Sequence, residues 1–170
     1  MAIASKQVCQ IALIVEDLDK VVAHYREAFS LPEPRVFYLP KPDATPAFTD
    51  GKPGDYSDCR MAVFALDNLI LEITQPGDSD SPWRRWLEAH GPGVQHLGFM
   101  IPEENKADAF QALTKAGSNV YHAGFYPDLT YTFVAGFDAF GVDFNIKWET
   151  DNRAKIAQML ANPQNNLTDL

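Results

Sequence analysis

The chain repeats itself, and the repeat restricts its fold more than any composition figure does. The run Val8-Cys9-Gln10-Ile11-Ala12-Leu13-Ile14-Val15 lies over Val94-Gln95-His96-Leu97-Gly98-Phe99-Met100-Ile101 at an offset of 86. Both runs are apolar and strand-like, and both are followed by acidic residues, Glu16-Asp17 in one and Glu103-Glu104 in the other. A helical pattern comes next in each copy. Val21, Val22, Tyr25 and Phe29 predict a helix over Leu18–Phe29, and Ala109, Phe110, Leu113 and Ala116 predict one from about Lys106 to Ala116. Ser30-Leu31-Pro32 and Ala116-Gly117-Ser118-Asn119 supply the stops. The copies also share a last strand: Leu69–Thr74 lies over Val142–Lys147 at an offset of 73.

The offset shrinks because the first copy is 13 residues longer. The excess falls in Leu39–Asp58, which is rich in Pro, Gly and Asp, has no clear period and reads as a long loop of the lid or binding kind. Each copy therefore reads as strand, helix and three strands. The later strands are expected near Arg35–Leu39, Cys59–Ala65 and Leu69–Thr74, then near Asn119–Ala123, Tyr131–Ala135 and Val142–Trp148. Ser81–His90 is a short helix with Pro82 at its first position and Gly91 after its end. Asp151–Ala161 is a C-terminal helix, followed by a polar tail. The expected fold is α+β: two βαβββ modules forming a cupped mixed sheet of about eight strands with helices on the outside. It is read as one domain over residues 1–170, with module one at about 7–76, the connecting helix at about 81–90, module two at about 93–150, and the C-terminal helix and tail at about 151–170.

Alternation along the strands assigns the faces. Phe144, Ile146 and Trp148 pack on a helix, which leaves Asp143, Asn145 and Lys147 on the other face. Leu71 and Ile73 leave Glu72; Ile11, Leu13 and Val15 leave Gln10; Leu97, Phe99 and Ile101 leave His96. Gln10, Glu72, His96 and Asn145 thus fall at equivalent places in the two copies. Pairing about a pseudo-twofold axis brings all four into one concave surface.

Composition limits the partners. Lys+Arg number 14 against 23 Asp+Glu, a net charge of −9, which disfavours nucleic acid and anionic membrane surfaces. No apolar run approaches the roughly 20 residues of a membrane span, and the N-terminal stretch lacks a signal peptide's small-residue cleavage site. Cys9 and Cys59 read as reduced, buried thiols with no metal-binding spacing. The expectation is a cytoplasmic enzyme or binding protein acting on a small molecule.

The repeated module with Gln, Glu or His at these places resembles the vicinal oxygen chelate superfamily, which includes glyoxalase I, methylmalonyl-CoA epimerase, extradiol dioxygenases and fosfomycin- and bleomycin-resistance proteins. The resemblance covers about residues 7–150. It is carried by Gly91-Pro92-Gly93-Val94-Gln95-His96-Leu97-Gly98-Phe99, by Leu71-Glu72-Ile73 before Gln75-Pro76, and by Asp138-Ala139-Phe140-Gly141-Val142-Asp143-Phe144-Asn145. The stretch Gln75–Pro82 with the helix after it is most similar to the epimerase branch.

The resemblance implies a divalent metal ion of unassigned identity, held by Gln10, Glu72, His96 and Asn145, and a homodimer. The fourth position departs from the family's Glu: Asn145 offers a neutral carbonyl oxygen and cannot take a proton at neutral pH. With one carboxylate left in the set, metal binding is either weaker and substrate-assisted or lost. The implied activity is an isomerase or lyase that moves a proton next to a carbonyl, with Glu72 or Asp143 as the base and Asn145, Tyr131 and Lys147 touching substrate. The alternative is a metal-free protein of the same fold that sequesters a small ligand. Lys147 itself is read as a solvated strand-end lysine, in preference to an ammonium paired with Glu72 in the ion's place.

Overall fold

The computed structural model describes residues 5–162. The expected polar tail falls in 163–170, outside the described residues. The elements are β1 (Gln10–Ile14), α1 (Leu18–Phe29), β2 (Arg35–Tyr38), β3 (Ala47–Thr49), β4 (Lys52–Gly54), β5 (Arg60–Ala65), β6 (Ile70–Gln75), α2 (Pro82–His90), β7 (Gly93–Met100), α3 (Lys106–Lys115), β8 (Val120–Tyr126), β9 (Leu129–Val134), the short turn α4 (Phe137–Phe140), β10 (Asp143–Glu149) and α5 (Arg153–Ala161).

All the strands join one sheet in the order β2-β5-β6-β1-β7-β10-β9-β8-β3-β4. The first module contributes β2-β5-β6-β1 and the second contributes its mirror, β7-β10-β9-β8. Within each module the first strand runs parallel to the last, and β1 meets β7 antiparallel at the seam. The repeat is therefore the symmetry of the sheet, and the four polar positions come to lie on four adjacent central strands.

The sheet has ten strands rather than about eight. Leu39–Asp58, expected to be a loop, carries the hairpin β3–β4, which pairs with β8 of the other module through Ala47↔Gly124, Phe48↔Ala123 and Thr49↔His122. Its turn is Asp50-Gly51 with φ of 52° and 77°. Those positive angles belong to the two-residue hairpin turn that an Asp-Gly pair favours.

Helices α1 and α3 cover the faces that alternation assigned to them. In α1, Asp17 caps the first turn by accepting from the Lys20 N–H, and Leu18 and Val22 bury against Ala62, Phe64, Leu71 and Ile73. In α3, Ala109 and Leu113 pack on Phe144, Ile146 and Trp148. Phe48, Ala123, Phe125 and Ile156 join the hairpin and β8 to α5. Helix α2 does not lie outside as expected. Its Trp83 and Trp86 pack with Ile14, Met61, Tyr56 and Phe133, so the connecting helix helps fill the concave side. Among the described residues, no helix is long and apolar enough to cross a membrane.

Candidate functional site

Strand register places the polar residues in two rows across the seam. Asn145, Gly98 and Gln10 lie side by side on β10, β7 and β1, and so do His96, Ala12 and Glu72 on β7, β1 and β6. Each row has a small residue between its two polar ones. The need for smallness is steric at Gly98, where an added Cβ would lie 2.7 Å from the Gln10 Cβ and 2.9 Å from its Oε1. With that space open, the Gln10 amide turns across the cup. Its Nε2 donates to Glu72 Oε2, and its Oε1 accepts from the Lys147 ammonium.

Lys147 is thus drawn into the cup, contrary to the expectation of a solvated strand-end lysine. Gln10 supplies the hydrogen-bonding partner and Glu72 the opposite charge, which together compensate its desolvation. The Glu72 carboxyl is pushed above the usual range by burial, and the Lys147 charge and the Gln10 hydrogen bond oppose that push.

His96 lies deeper and is fully buried. Its Nε2 faces Asn145 Nδ2 at 3.3 Å and its Nδ1 faces Gln95 Oε1 at 3.1 Å. With the Gln95 and Asn145 amides as placed, Nδ1 carries the proton and donates to Gln95, and Nε2 accepts from Asn145. Burial, then the charge of Lys147, hold the ring well below the usual imidazole range, so it is neutral. The Asn145 Oδ1 is buried without a hydrogen-bond partner.

Two β-bulges place side chains that regular alternation assigns to the other face. The β1–β7 register jumps from Ala12↔His96 to Leu13↔Val94, and the β8–β9 register jumps at Tyr121. Gln95 therefore reaches the His96 ring as a neighbour in sequence, and Tyr121 donates to Asp143 Oδ2 at 2.9 Å. Nothing in the apolar pattern distinguishes a bulge from a regular strand, so both residues escape a sequence reading.

Asp143 is on the expected face but has other partners. Its Oδ1 accepts from the Gly136 and Phe137 N–H groups at 2.7 and 3.1 Å, and its Oδ2 takes the Tyr121 hydroxyl. The carboxylate closes the start of α4 and does not join the Gln10–Glu72–Lys147 group. The wall facing that group is aromatic. His96 and Phe133 lie 4.7 Å apart between centroids, and the Trp83 and His122 rings pack on Phe133. Tyr131 lies across Gly124, where a Cβ would meet its ring at 2.1 Å. Burial, then Tyr126 and Glu72, push its phenol well above the usual range.

His122, for which the sequence offered no pattern, is the hub that holds the hairpin. Its Nδ1 faces Thr49 Oγ1 at 2.9 Å, Thr49 meets the Tyr56 hydroxyl at 2.6 Å, and Nε2 faces the Tyr131 hydroxyl at 3.2 Å. Burial lowers the ring to about 3. The cleft beside this network, between Leu39, Tyr56, Trp83, Tyr126 and Tyr131, holds only about 20 Å³. That is room for a water molecule and little more.

The four expected metal ligands meet in the cup, but they do not fit a divalent ion as they stand. Gln10 Oε1 is taken by an ammonium, the one carboxylate is already balanced by it, and the His96 lone pair is met by an amide N–H. Among the described residues, no group of three or more His, Cys, Asp or Glu is placed to hold a metal.

Paired βαβββ modules, a curled mixed sheet and a polar cup at the seam define the vicinal oxygen chelate class. The chain belongs to the Glyoxalase/Bleomycin resistance protein/Dioxygenase superfamily, whose family model matches residues 9–135. Solved structures of similar fold include a hypothetical protein from Bacillus halodurans C-125, at 15% identity and a TM-score of 0.60, with 85% of this chain and 95% of that chain covered. Methylmalonyl-CoA epimerase from Mycobacterium tuberculosis is similar at 17% identity and a TM-score of 0.57, with 91% and 97% covered. A variant of the Streptomyces coelicolor methylmalonyl-CoA epimerase, in complex with 2-nitronate-propionyl-CoA, is similar at 18% identity and a TM-score of 0.57, with 84% and 93% covered. No curated protein matches the sequence.

Proposed function

We propose that the protein is an isomerase or lyase that moves a proton on a carbon next to a carbonyl of a small molecule. One observation carries this reading: a carboxylate and an ammonium face the same cup, bridged by the Gln10 amide. Glu72 is the proton carrier. Its ionised carboxylate takes the α-hydrogen as a proton, the C–H electron pair becomes the C=C bond of the enolate, and the carbonyl oxygen takes the negative charge. Returning the proton to carbon restores Glu72. Burial raises the carboxyl above the usual carboxylate range, against the pull of Lys147 and Gln10, which is the direction a general acid–base needs. The Lys147 N–H groups stabilise the developing oxyanion.

Family membership supports this class of chemistry, and the epimerases of similar fold make acyl-CoA thioesters the first substrates to test. The test is exchange of the substrate α-hydrogen with deuterium from solvent, followed by NMR over a panel of acyl-CoA thioesters and hemithioacetals. Exchange by the wild type that falls at least a hundredfold in Glu72→Gln supports the reading, and its absence across the panel overturns it. A second reading, a cup that sequesters a small ligand without turnover, gains no room from the aromatic wall, because Trp83 and Phe133 are buried in packing and the cleft beside Tyr131 holds only about 20 Å³. Tight binding of such a ligand with no exchange would select it.

A further inference from the structure

We propose that Lys147 occupies the place of the divalent ion and keeps that ion out of the cup. The inference rests on the reading of this cup as the active site. Its observation is the position of the ammonium. Lys147 is on β10, two residues from Asn145 on the same face, and it donates to the Gln10 amide oxygen inside the four-residue set. Gln10 passes its other side to Glu72, so the carboxylate is matched by the ammonium through one amide. With a neutral His96, Glu72 and Lys147 bring the set to zero net charge. A divalent ion entering it would displace a hydrogen bond and stand beside a like charge. Repulsion of this kind is strong at short range where water is scarce. A fixed ammonium also recognises a particular class of substrate, one that presents an anionic oxygen, such as a carboxylate or an enolate. An N–H donor serves there as Lewis acidity would, while giving up the ion's ability to grip two oxygens at once.

All four members of the set become available as ligands once the ammonium is gone, because Gln10 Oε1 is freed and Glu72 loses its counter-charge. A turn of the Asn145 amide frees His96 Nε2 from its N–H partner and brings forward Oδ1, which has no hydrogen-bond partner. The inference is therefore testable by removing one charge. Metal-stripped wild-type protein and Lys147→Met are titrated with Mn²⁺, Co²⁺, Ni²⁺ and Zn²⁺ by calorimetry, and their melting temperatures are followed in parallel. Circular dichroism checks the fold of the variant, and Lys147→Arg serves as the charge-retaining control. The expected result is no stoichiometric ion in the wild type or in Lys147→Arg. Lys147→Met should take up about one ion per chain at least tenfold more tightly, with a rise in melting temperature. An ion bound as well by the wild type as by Lys147→Met overturns the proposal. So does failure of both to bind, because then Lys147 is not what excludes it. If Lys147→Met does not fold, Lys147→Gln takes its place with the same outcomes. The titration reads no turnover, so its failure is distinct from the failure of the proton-transfer reading.

Discussion

The amide of Gln10 stands between Glu72 and Lys147, donating to the carboxylate and accepting from the ammonium. The two charged residues lie on β6 and β10, separated in the sheet by β1 and β7, and the residue that joins them comes from β1. Replacing Gln10 by Ala removes the link and leaves both charges less well compensated. The expected outcome is a loss of about 1–3 kcal/mol of stability in urea unfolding, the usual penalty for stripping partners from buried polar groups. In the exchange assay, the same variant should lose activity without losing its fold.

Gly98 makes the turn of Gln10 possible. A methyl group there would lie 2.7 Å from the Gln10 Cβ, an atom next to the backbone that cannot swing aside. Gly98→Ala is expected to destabilise by about 1–3 kcal/mol through overpacking. Chemical denaturation checks it, and a variant with unchanged stability would show that β1 and β7 yield easily at the seam.

His122 makes the protein sensitive to acid. Its folded value of about 3 lies below the ordinary imidazole value of 6.5, because burial disfavours the charged ring. The unfolded chain therefore binds a proton between pH 6.5 and about 3 that the native state refuses. The stability contributed by the neutral ring is complete above pH 6.5 and falls as the pH drops through that window. Tyr56, Trp83, Tyr131 and Phe133 pack around it and offer no compensating negative charge. The loss is on the order of 5 kcal/mol at the acid end, at roughly 1.4 kcal/mol per pH unit. His122→Asn should flatten this acid limb in a series of urea titrations from pH 7 to 4. His96, lowered in the same direction, adds to the slope.

The hairpin β3–β4 is tied down at two places of unequal strength. Thr49 is buried and shares its hydroxyl with His122 and Tyr56, whereas Arg85 reaches Asp50 and Asp80 from an exposed surface. Thr49→Val should cost about 1–3 kcal/mol and speed hydrogen exchange across 47–54. Arg85→Ala should cost under about 1 kcal/mol, as exposed ion pairs usually do. The reverse ranking would mean that the salt links, rather than the buried network, hold the hairpin.

Asp143 is expected to matter for stability rather than proton transfer. Its carboxylate takes two backbone N–H groups and the Tyr121 hydroxyl at the start of α4. Asp143→Ala strips the acceptor from both N–H groups and from Tyr121, and should cost about 1–3 kcal/mol by thermal or urea unfolding.

The sequence by itself determined the repeat, the strand–helix–strand order, and the faces on which Gln10, Glu72, His96 and Asn145 lie. Those follow from periodicity, because a helix or strand must bury one side and the spacing of apolar residues says which. Helix α1 spans Leu18–Phe29 as its apolar spacing requires. Leu39–Asp58 reads as a loop despite its Asp50-Gly51 pair, because its strands are only three residues each. Their partner β8 belongs to the other module, and no local pattern records a pairing across some 75 positions. The bulges at Gln95 and Tyr121 were likewise hidden, since an extra residue in a strand is fixed by the strand beside it. The position of Lys147 was decided only in three dimensions. Alternation put it on the cup face but not inside the cup, and whether a lysine bends inward or reaches for water depends on what meets it there. Here Gln10 meets it, in the space that Gly98 leaves open.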